Sequence, residues 1–196
     1  MPFMSSVQLS APNYRAFSAD ALADGLSSLG VKLSNEAECE AAQAIAAELI
    51  SPNVAAASTL KRVQARTRGA VFSFSEDETV TGVLAIVPLS PAGLAAVEDR
   101  SFDPLDPADD HLALPGQPLA GAYGWGMAAR TRPAARAVVI ATEAMHKLWP
   151  ELPFFTRAAT PDGERLITGK WGFVHHPRAD DDLLVLLPRT LQEAAA

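Results

Sequence analysis

The sequence predicts one mixed α/β domain, an α+β arrangement in which antiparallel strands lead into a central parallel strand pair with flanking helices. The 196 residues are 48% hydrophobic and 20% charged, which suits a single globular domain with a substantial core. β-branched residues on either side of a short polar turn at 69–89 are typical of a hairpin. A strand–helix–strand order at 120–158 indicates parallel strands, because parallel neighbours need a long crossover connection.

The composition argues against several classes of protein. The formal net charge of −7 disfavours a general nucleic-acid binder. The single cysteine, Cys39, excludes an internal disulfide framework and fits a reducing compartment. The sequence has no 18-residue apolar run, and its first residues lack the pattern of a signal peptide. We therefore expect a cytoplasmic protein that does not enter a membrane, with residues 1–196 in one domain.

The first half of the chain predicts helices followed by a hairpin. Its first residues suggest a short helix at 20–29 and a short strand at either 7–9 or 14–17. Asn35 and Glu38 have the spacing of a capping box, which places a helix start directly after Asn35. The elements predicted next are helices at 36–50 and 54–66 and strands at 69–74 and 79–89.

The proline-rich and acidic stretch at 90–119 differs from the rest of the chain. It predicts a short helix at 91–98 and otherwise a long loop inserted into the domain. Such a loop is either a functional lid or binding segment, or a disordered insertion, and the sequence leaves both open. The acids around His111 lack the spacing of a calcium-binding loop, and no metal site is predicted.

The segment at 120–149 predicts a strand, a basic turn and a helix. Strand alternation puts a bare row on one face and bulky residues on the other. The bare row is Ala120, Ala122, Gly124, Gly126 and Ala128, and the bulky row is Tyr123, Trp125 and Met127. A bare face permits close approach of an extended ligand, although a helix packed flush against the strand would explain it equally well.

Three arginines surround the start of the helix that follows this strand. Arg130, Arg132 and Arg136 lie within seven residues, and Pro133 suits the first turn of a helix. The free N–H groups of a helix start attract phosphate, and guanidinium groups add charge and paired donors. The sequence therefore predicts an anion site here, with an ordinary solvated helix start as the alternative. The remaining predicted elements are a strand at 153–158, a helix at 161–170, a strand after residue 173 and a final strand at 182–187.

This element order resembles the GNAT superfamily of acyl-CoA-dependent N-acyltransferases over residues 36–187. The family's pyrophosphate loop, Arg/Gln-x-x-Gly-x-Gly/Ala, is similar to residues 130–135, where Arg130 and Ala135 match and Pro133 replaces a glycine. The family's closing Gly-Phe is similar to residues 172–173. Thr168 stands where the family often has a tyrosine that serves as the general acid.

The resemblance implies acetyl-CoA or another acyl-CoA as co-substrate and a small-molecule or peptide amine as acceptor. The residues it assigns to the cofactor are Met127, Ala128, Arg130, Arg132, Ala134, Ala135 and Arg136. The catalytic residue stays open, with Tyr123, His175 and Thr168 as candidates. Further candidate bases or acids are His111 in the long loop, His176 next to a strand end, and Glu143 and His146 on the helix, where the last two are expected on the surface.

Two other functions remain open at this stage. Pro133 and Thr168 favour a degenerate member of the same fold that binds acyl-CoA or another small molecule without turnover, or that has a regulatory role. An unrelated α/β small-molecule-binding domain would have a continuous parallel strand pair with no divergence between the strands. The sequence leaves a homodimer open.

Overall fold

Seven of the strands form one sheet around which the helices pack. The computed structural model describes residues 14–177 and 182–189. The strands are β1 (Arg15–Ala16), β2 (Lys32–Leu33), β3 (Val71–Glu76), β4 (Thr79–Leu89), β5 (Pro118–Leu119), β6 (Gly121–Ala129), β7 (Phe154–Arg157), β8 (Val174–His175) and β9 (Leu183–Leu186). The helices are α1 (Ala19–Ser27), α2 (Glu36–Leu49), α3 (Ala57–Thr67), α4 (Pro91–Asp99), α5 (Arg132–Leu148) and α6 (Pro161–Trp171), with a 3₁₀ turn at Asp109–His111.

The sheet has the strand order β2-β3-β4-β6-β7-β9-β8, and only the β6–β7 pair among these neighbours is parallel. The predicted mixed class, with antiparallel strands before a central parallel pair, is therefore confirmed. β1 pairs with β5 in a separate two-stranded sheet, which confirms the strand expected at 14–17. The alternative strand at 7–9 lies outside the described residues.

The predicted start of α2 agrees with the structure because it depends on local chemistry, whereas α3 begins at Ala57, three residues after its predicted start, and has no side-chain cap. The Asn35 side chain accepts from the Glu38 amide, and the Glu38 carboxylate accepts from the Asn35 amide at 2.8 Å. The other side-chain caps are Ser18 on α1, Ser90 on α4, Thr131 on α5 and Thr160 on α6. The sequence does not predict the strands β2 and β5, because a two-residue segment is too short to show an alternation of apolar and polar residues.

Two apolar cores lie on opposite faces of the sheet. Helices α2, α3 and α4 cover one face, where Ile45, Val63 and Val87 are buried together. Helices α1, α5 and α6 cover the other, where Leu26 and Val138 are fully buried. Among the described residues, no helix has the length and apolar content needed to cross a bilayer.

The proline-rich stretch is folded into the domain rather than forming a disordered insertion: Phe102 and Leu112 belong to the core under α2 and α3, and Leu119 belongs to the opposite core. The helix expected at 91–98 is confirmed as α4. Beyond it, the Arg62 guanidinium donates to both Asp106, at 2.8 Å, and Asp109. Arg66 also pairs with Asp109, at 3.0 Å. Two of the acids around His111, Asp106 and Asp109, are thus partners of arginines on α3. We call residues 100–113 the clamped loop.

Candidate functional site

The parallel strands β6 and β7 pair over a short length and then separate. Their register joins Ala122 to Phe154, Tyr123 to Phe155 and Gly124 to Thr156. β6 then continues to Ala129 while paired with β4 alone. A strand edge without a neighbour presents backbone N–H and C=O groups that another group can bind. The geometry therefore offers an unpaired backbone edge in the middle of the sheet.

The glycines of β6 lie close to β7 where the two strands are still paired. A Cβ atom at Gly124 would lie 3.1 Å from Thr156 Oγ1, and one at Gly121 would lie 3.0 Å from the Pro153 carbonyl oxygen. Both separations are tighter than ordinary side-chain packing allows. The bare residues at these positions therefore admit the neighbouring strand, and any ligand would have to bind further along β6.

A β-bulge at Trp125 corrects the predicted faces of β6. Ala85 pairs with Gly126 and Ile86 with Gly124, so Trp125 is an extra residue in the β6 ladder. From there on the alternation reverses: Met127 packs against the α5 core and Ala128 belongs to the opposite core. The prediction that Met127 shares a face with Tyr123 and Trp125 is wrong, because one inserted residue shifts a two-residue period.

The divergence of β6 and β7 opens into a cavity of about 170 Å³, which we call the slot. Residues 124–127 of β6, residues 156–157 of β7 and Ala158 just after β7 form its sides. The lining is mostly apolar. Its polar side chains are Thr142, His146, Thr156, Arg157 and Thr160. An apolar pocket with a few polar groups is the usual form of a small-molecule site.

The α5 N-terminus, which follows β6 directly, has few free backbone donors. The Thr131 side chain accepts from the Ala134 amide at 3.2 Å, and the Thr131 carbonyl accepts from the Ala135 amide at 2.9 Å. Pro133 has no N–H to offer. Of the assigned residues, Ala134 is buried and Ala135 is exposed. Anion binding here would therefore depend mainly on arginine side chains.

The three arginines of this turn differ in how they are already engaged. Arg130 binds the Glu48 carboxylate at the end of α2, with its Nε atom 3.1 Å from Oε2. Arg132 and Arg136 are exposed, and neither forms an ion pair or side-chain hydrogen bond within residues 14–177 and 182–189. These two are the guanidinium groups available to an incoming anion.

A carboxylate also lies at this end of α5. Glu76 accepts hydrogen bonds from the Thr131 hydroxyl, at 2.5 Å, and from the Thr81 hydroxyl, at 2.8 Å. These bonds lower the pKa of Glu76 from its ordinary value, with the bond from Thr131 the largest cause. The carboxylate therefore stays charged at neutral pH, and its negative charge reduces the positive potential that the arginines create.

The three catalytic candidates do not come together at the slot. Tyr123 is buried on the α2 side of the sheet, where its ring packs on Phe102 and its hydroxyl accepts from Arg157 at 2.8 Å. The Thr168 hydroxyl donates to the Glu164 carbonyl one turn earlier in α6. His175 is exposed on the short edge strand β8. None of the three contributes to the slot lining.

The other two strand-end and loop histidines also lie away from the slot. His111 is in the 3₁₀ turn, with its ring 5.9 Å from that of Phe102. His176 is buried, with its ring 6.1 Å from that of Phe155.

His146 lies at a position that corrects the sequence-based prediction. It was expected on the helix surface, but it is half-buried and lines the slot. Its ring lies 4.6 Å from that of Phe154 and 5.4 Å from that of Trp171. Burial lowers the pKa of His146 to about 4, so the imidazole is neutral at pH 7. The available signal was its place four residues beyond Thr142, on the buried stripe of α5.

Glu143 lies one turn before His146 and is half-buried as well, so its predicted surface position is only partly correct. Lys170 Nζ lies 2.6 Å from its carboxylate, and the Trp171 indole N–H also donates to it. These bonds lower the pKa of Glu143, with Lys170 the largest cause. The pair ties α5 to α6 beside the slot.

Comparison with known proteins gives no family for this chain. No protein-family model matches the sequence, and no curated protein has a significantly similar sequence.

Proposed function

We propose that this protein is an acyltransferase that moves an acetyl or other acyl group from acyl-CoA to an amine, as in the GNAT superfamily. The observation that carries the proposal is the divergence of β6 and β7 around an apolar slot, after only three paired positions. An unpaired β6 edge beside such a slot suits an extended, amide-containing arm such as pantetheine, whose amides can bind backbone N–H and C=O groups.

The position of α5 supports the same reading. The helix begins three residues after the end of β6, so Arg132 and Arg136 lie at the end of the strand that borders the slot. If a phosphate-containing molecule bound along β6, the phosphates at its end nearest α5 would contact these two arginines. The coenzyme part of acyl-CoA has this order of groups, since its diphosphate is followed by the pantetheine arm and the thioester.

The reaction requires an amine nitrogen to attack the thioester carbonyl carbon while the bond from that carbon to sulfur breaks. Backbone N–H groups at the unpaired edge of β6 would stabilise negative charge on the carbonyl oxygen. The proton lost by the amine would pass to the thiolate of the departing CoA. His146 lines the slot, and its neutral imidazole is a weak base with a pKa of about 4, so we assign its acceptor nitrogen to hydrogen bonding with the amine rather than to carrying the proton.

The rival function is a protein that binds acyl-CoA without turnover. The tie between Arg130 and Glu48, the missing N–H of Pro133 and the position of Thr168 outside the slot favour it. Calorimetry with CoA and acetyl-CoA, followed by thiol-release assays over a panel of amines, separates the functions. Binding with thiol release supports an enzyme, binding alone supports the rival, and no binding of either ligand contradicts both.

A variant that fills the slot tests whether acetyl-CoA binds there. Ala158 lines the slot just beyond β7, and leucine there would occupy much of the apolar space, so Ala158→Leu should weaken acetyl-CoA binding at least about tenfold. Ala37→Leu makes the same chemical change on an exposed face of α2 and should leave the affinity unchanged. Equal affinities in the two variants would rule out the slot as the binding site.

A further inference from the structure

A second and larger cavity lies beside the slot, where the end of α5 meets the end of α6 and the residues after β9. Its volume is about 540 Å³, within the usual range for small-molecule sites. His146, Phe154 and Trp171 line both cavities and so form a shared wall. We call this second space the cationic cavity, after the residues described next.

Positive charge predominates at its rim. Lys147, Lys170 and Arg189 line the cavity against one carboxylate, that of Glu143. Lys170 pairs with this carboxylate. The side chains of Lys147 and Arg189 form no ion pair or hydrogen bond with other residues that the structure describes. A local excess of cations in a chain of net charge −7 indicates a site for a negatively charged group.

Part of the cavity wall is aromatic: His146, Trp149, Phe154 and Trp171 line it beside aliphatic and charged residues. The rings of Trp149 and Phe154 are nearly parallel, with an interplanar angle of 24° and centroids 6.1 Å apart. Trp171 stands edge-on to His146 at 89°. Aromatic side chains favour stacking with other flat groups. Two stacked rings stabilise a complex by more than the burial of their apolar area alone would.

The His146 ring adds a hydrogen-bonding function to this wall. It makes three ring contacts, with Phe154, Trp171 and Phe173, but no hydrogen bond to another part of the described chain. A neutral imidazole carries one donor and one acceptor nitrogen. A ligand in the cationic cavity would satisfy one of these atoms, which apolar neighbours cannot do.

We propose that the cationic cavity binds a small organic anion that carries a flat apolar group, such as an aryl carboxylate. The anionic group would bind Lys147 and Arg189 at the rim, and the ring would lie against Trp149, Phe154 and Trp171. This site does not depend on acyl transfer, because neither Lys147 nor Arg189 lines the slot.

The test uses 2-naphthoate as the probe and 2-naphthalenemethanol as a neutral ligand with the same ring, both titrated by calorimetry. We expect saturable binding of the carboxylate, at least about tenfold tighter than that of the alcohol, since a charge-assisted hydrogen bond is lost with the charge. Absence of saturable naphthoate binding, or equal affinity for the alcohol, would overturn the proposal.

Variants place the probe in the cationic cavity. Lys147→Gln combined with Arg189→Gln removes two exposed cations and should weaken naphthoate binding at least about tenfold. Lys32→Gln, which removes an exposed cation on the edge strand β2, should change nothing. Ala158→Leu, which fills the slot, should also leave naphthoate binding intact. An unaffected double variant, or loss of binding in Ala158→Leu, would place the probe elsewhere and contradict the assignment, whatever the result with acetyl-CoA.

Discussion

The two regions on either side of β6 differ in what their arginines do: in one region they stabilise the fold, and in the other they remain available to a ligand. On the α2 side, the Trp125 indole N–H donates to the Pro104 carbonyl at 2.5 Å, and the arginines of α3 are bound to aspartates of the clamped loop. At the slot the β6 edge is unpaired, and at the start of α5, just beyond β6, Arg132 and Arg136 have no partner among the described residues. The side chains named in the first region are paired within the protein and hold the fold together, whereas the strand edge and the exposed arginines of the second have no partner in the part of the chain that the structure describes and remain available to a ligand.

The largest expected effect tests the structural side of this comparison. Phe102 is buried by Tyr123 and His111, and Phe102→Ala should lower the free energy of unfolding by about 3–5 kcal/mol through loss of packing and a residual cavity. Leu105→Ala, at a position 38% exposed in the same loop, should cost less than about 1 kcal/mol. Urea unfolding measures both, and similar costs would mean that the loop does not anchor this face.

The second prediction concerns the neutral imidazole at the slot. Because the pKa of His146 is lower in the folded protein than in the unfolded chain, the unfolded chain takes up the extra proton below pH 6.5. The free energy of unfolding should therefore have its full value above pH 6.5. It should fall by up to about 3 kcal/mol as the pH approaches 4.

Replacement of the imidazole isolates its contribution. His146→Leu should flatten this part of the stability profile between pH 6.5 and 4, and His175→Leu, on the exposed strand β8, should leave it unchanged. Urea unfolding across the pH range provides the comparison. A wild-type slope that persists in His146→Leu would show that other groups produce it.

The third prediction tests whether an arginine at the start of α5 binds a phosphate. Arg132→Ala should weaken CoA binding by about 1–3 kcal/mol, the contribution of a charged hydrogen bond. Arg165→Ala removes an exposed guanidinium on α6 that pairs with Asp162 and should have no effect on the affinity. Calorimetry measures the CoA affinity of each variant. Equal affinities in wild type and Arg132→Ala would count against the assignment of Arg132 to the diphosphate.

The smallest effect comes from the carboxylate that opposes these arginines. Glu76→Gln removes its negative charge while keeping an acceptor for the Thr131 hydroxyl, so CoA affinity should rise by about twofold at low salt. The gain should vanish at high salt because exposed charges are screened. Weaker CoA binding in Glu76→Gln would mean that the carboxylate supports the site.

Much of the fold could be predicted because its signals are local. The Asn35–Glu38 box fixed the start of α2, and the hairpin of β3 and β4 followed from β-branched runs around a polar turn. The candidate site was less accessible. The slot lies beside the strand that the sequence singled out, but His146 was assigned to the surface and the cationic cavity was not foreseen. Both depend on residues from α6 and β9 that pack against α5 only in the folded chain.

The amino-acid sequence by itself determined the order of the helices and of the longer strands, since caps, prolines and hydrophobic periods act within a few residues, but it did not indicate the two-residue strands β2 and β5. The bulge at Trp125, the partner of Arg130 and the separation of β6 from β7 were decided by tertiary structure. Each of these depends on which distant segment meets the strand or side chain. No local pattern records that choice, because the same residues would suit an unbroken ladder or a solvated guanidinium equally well.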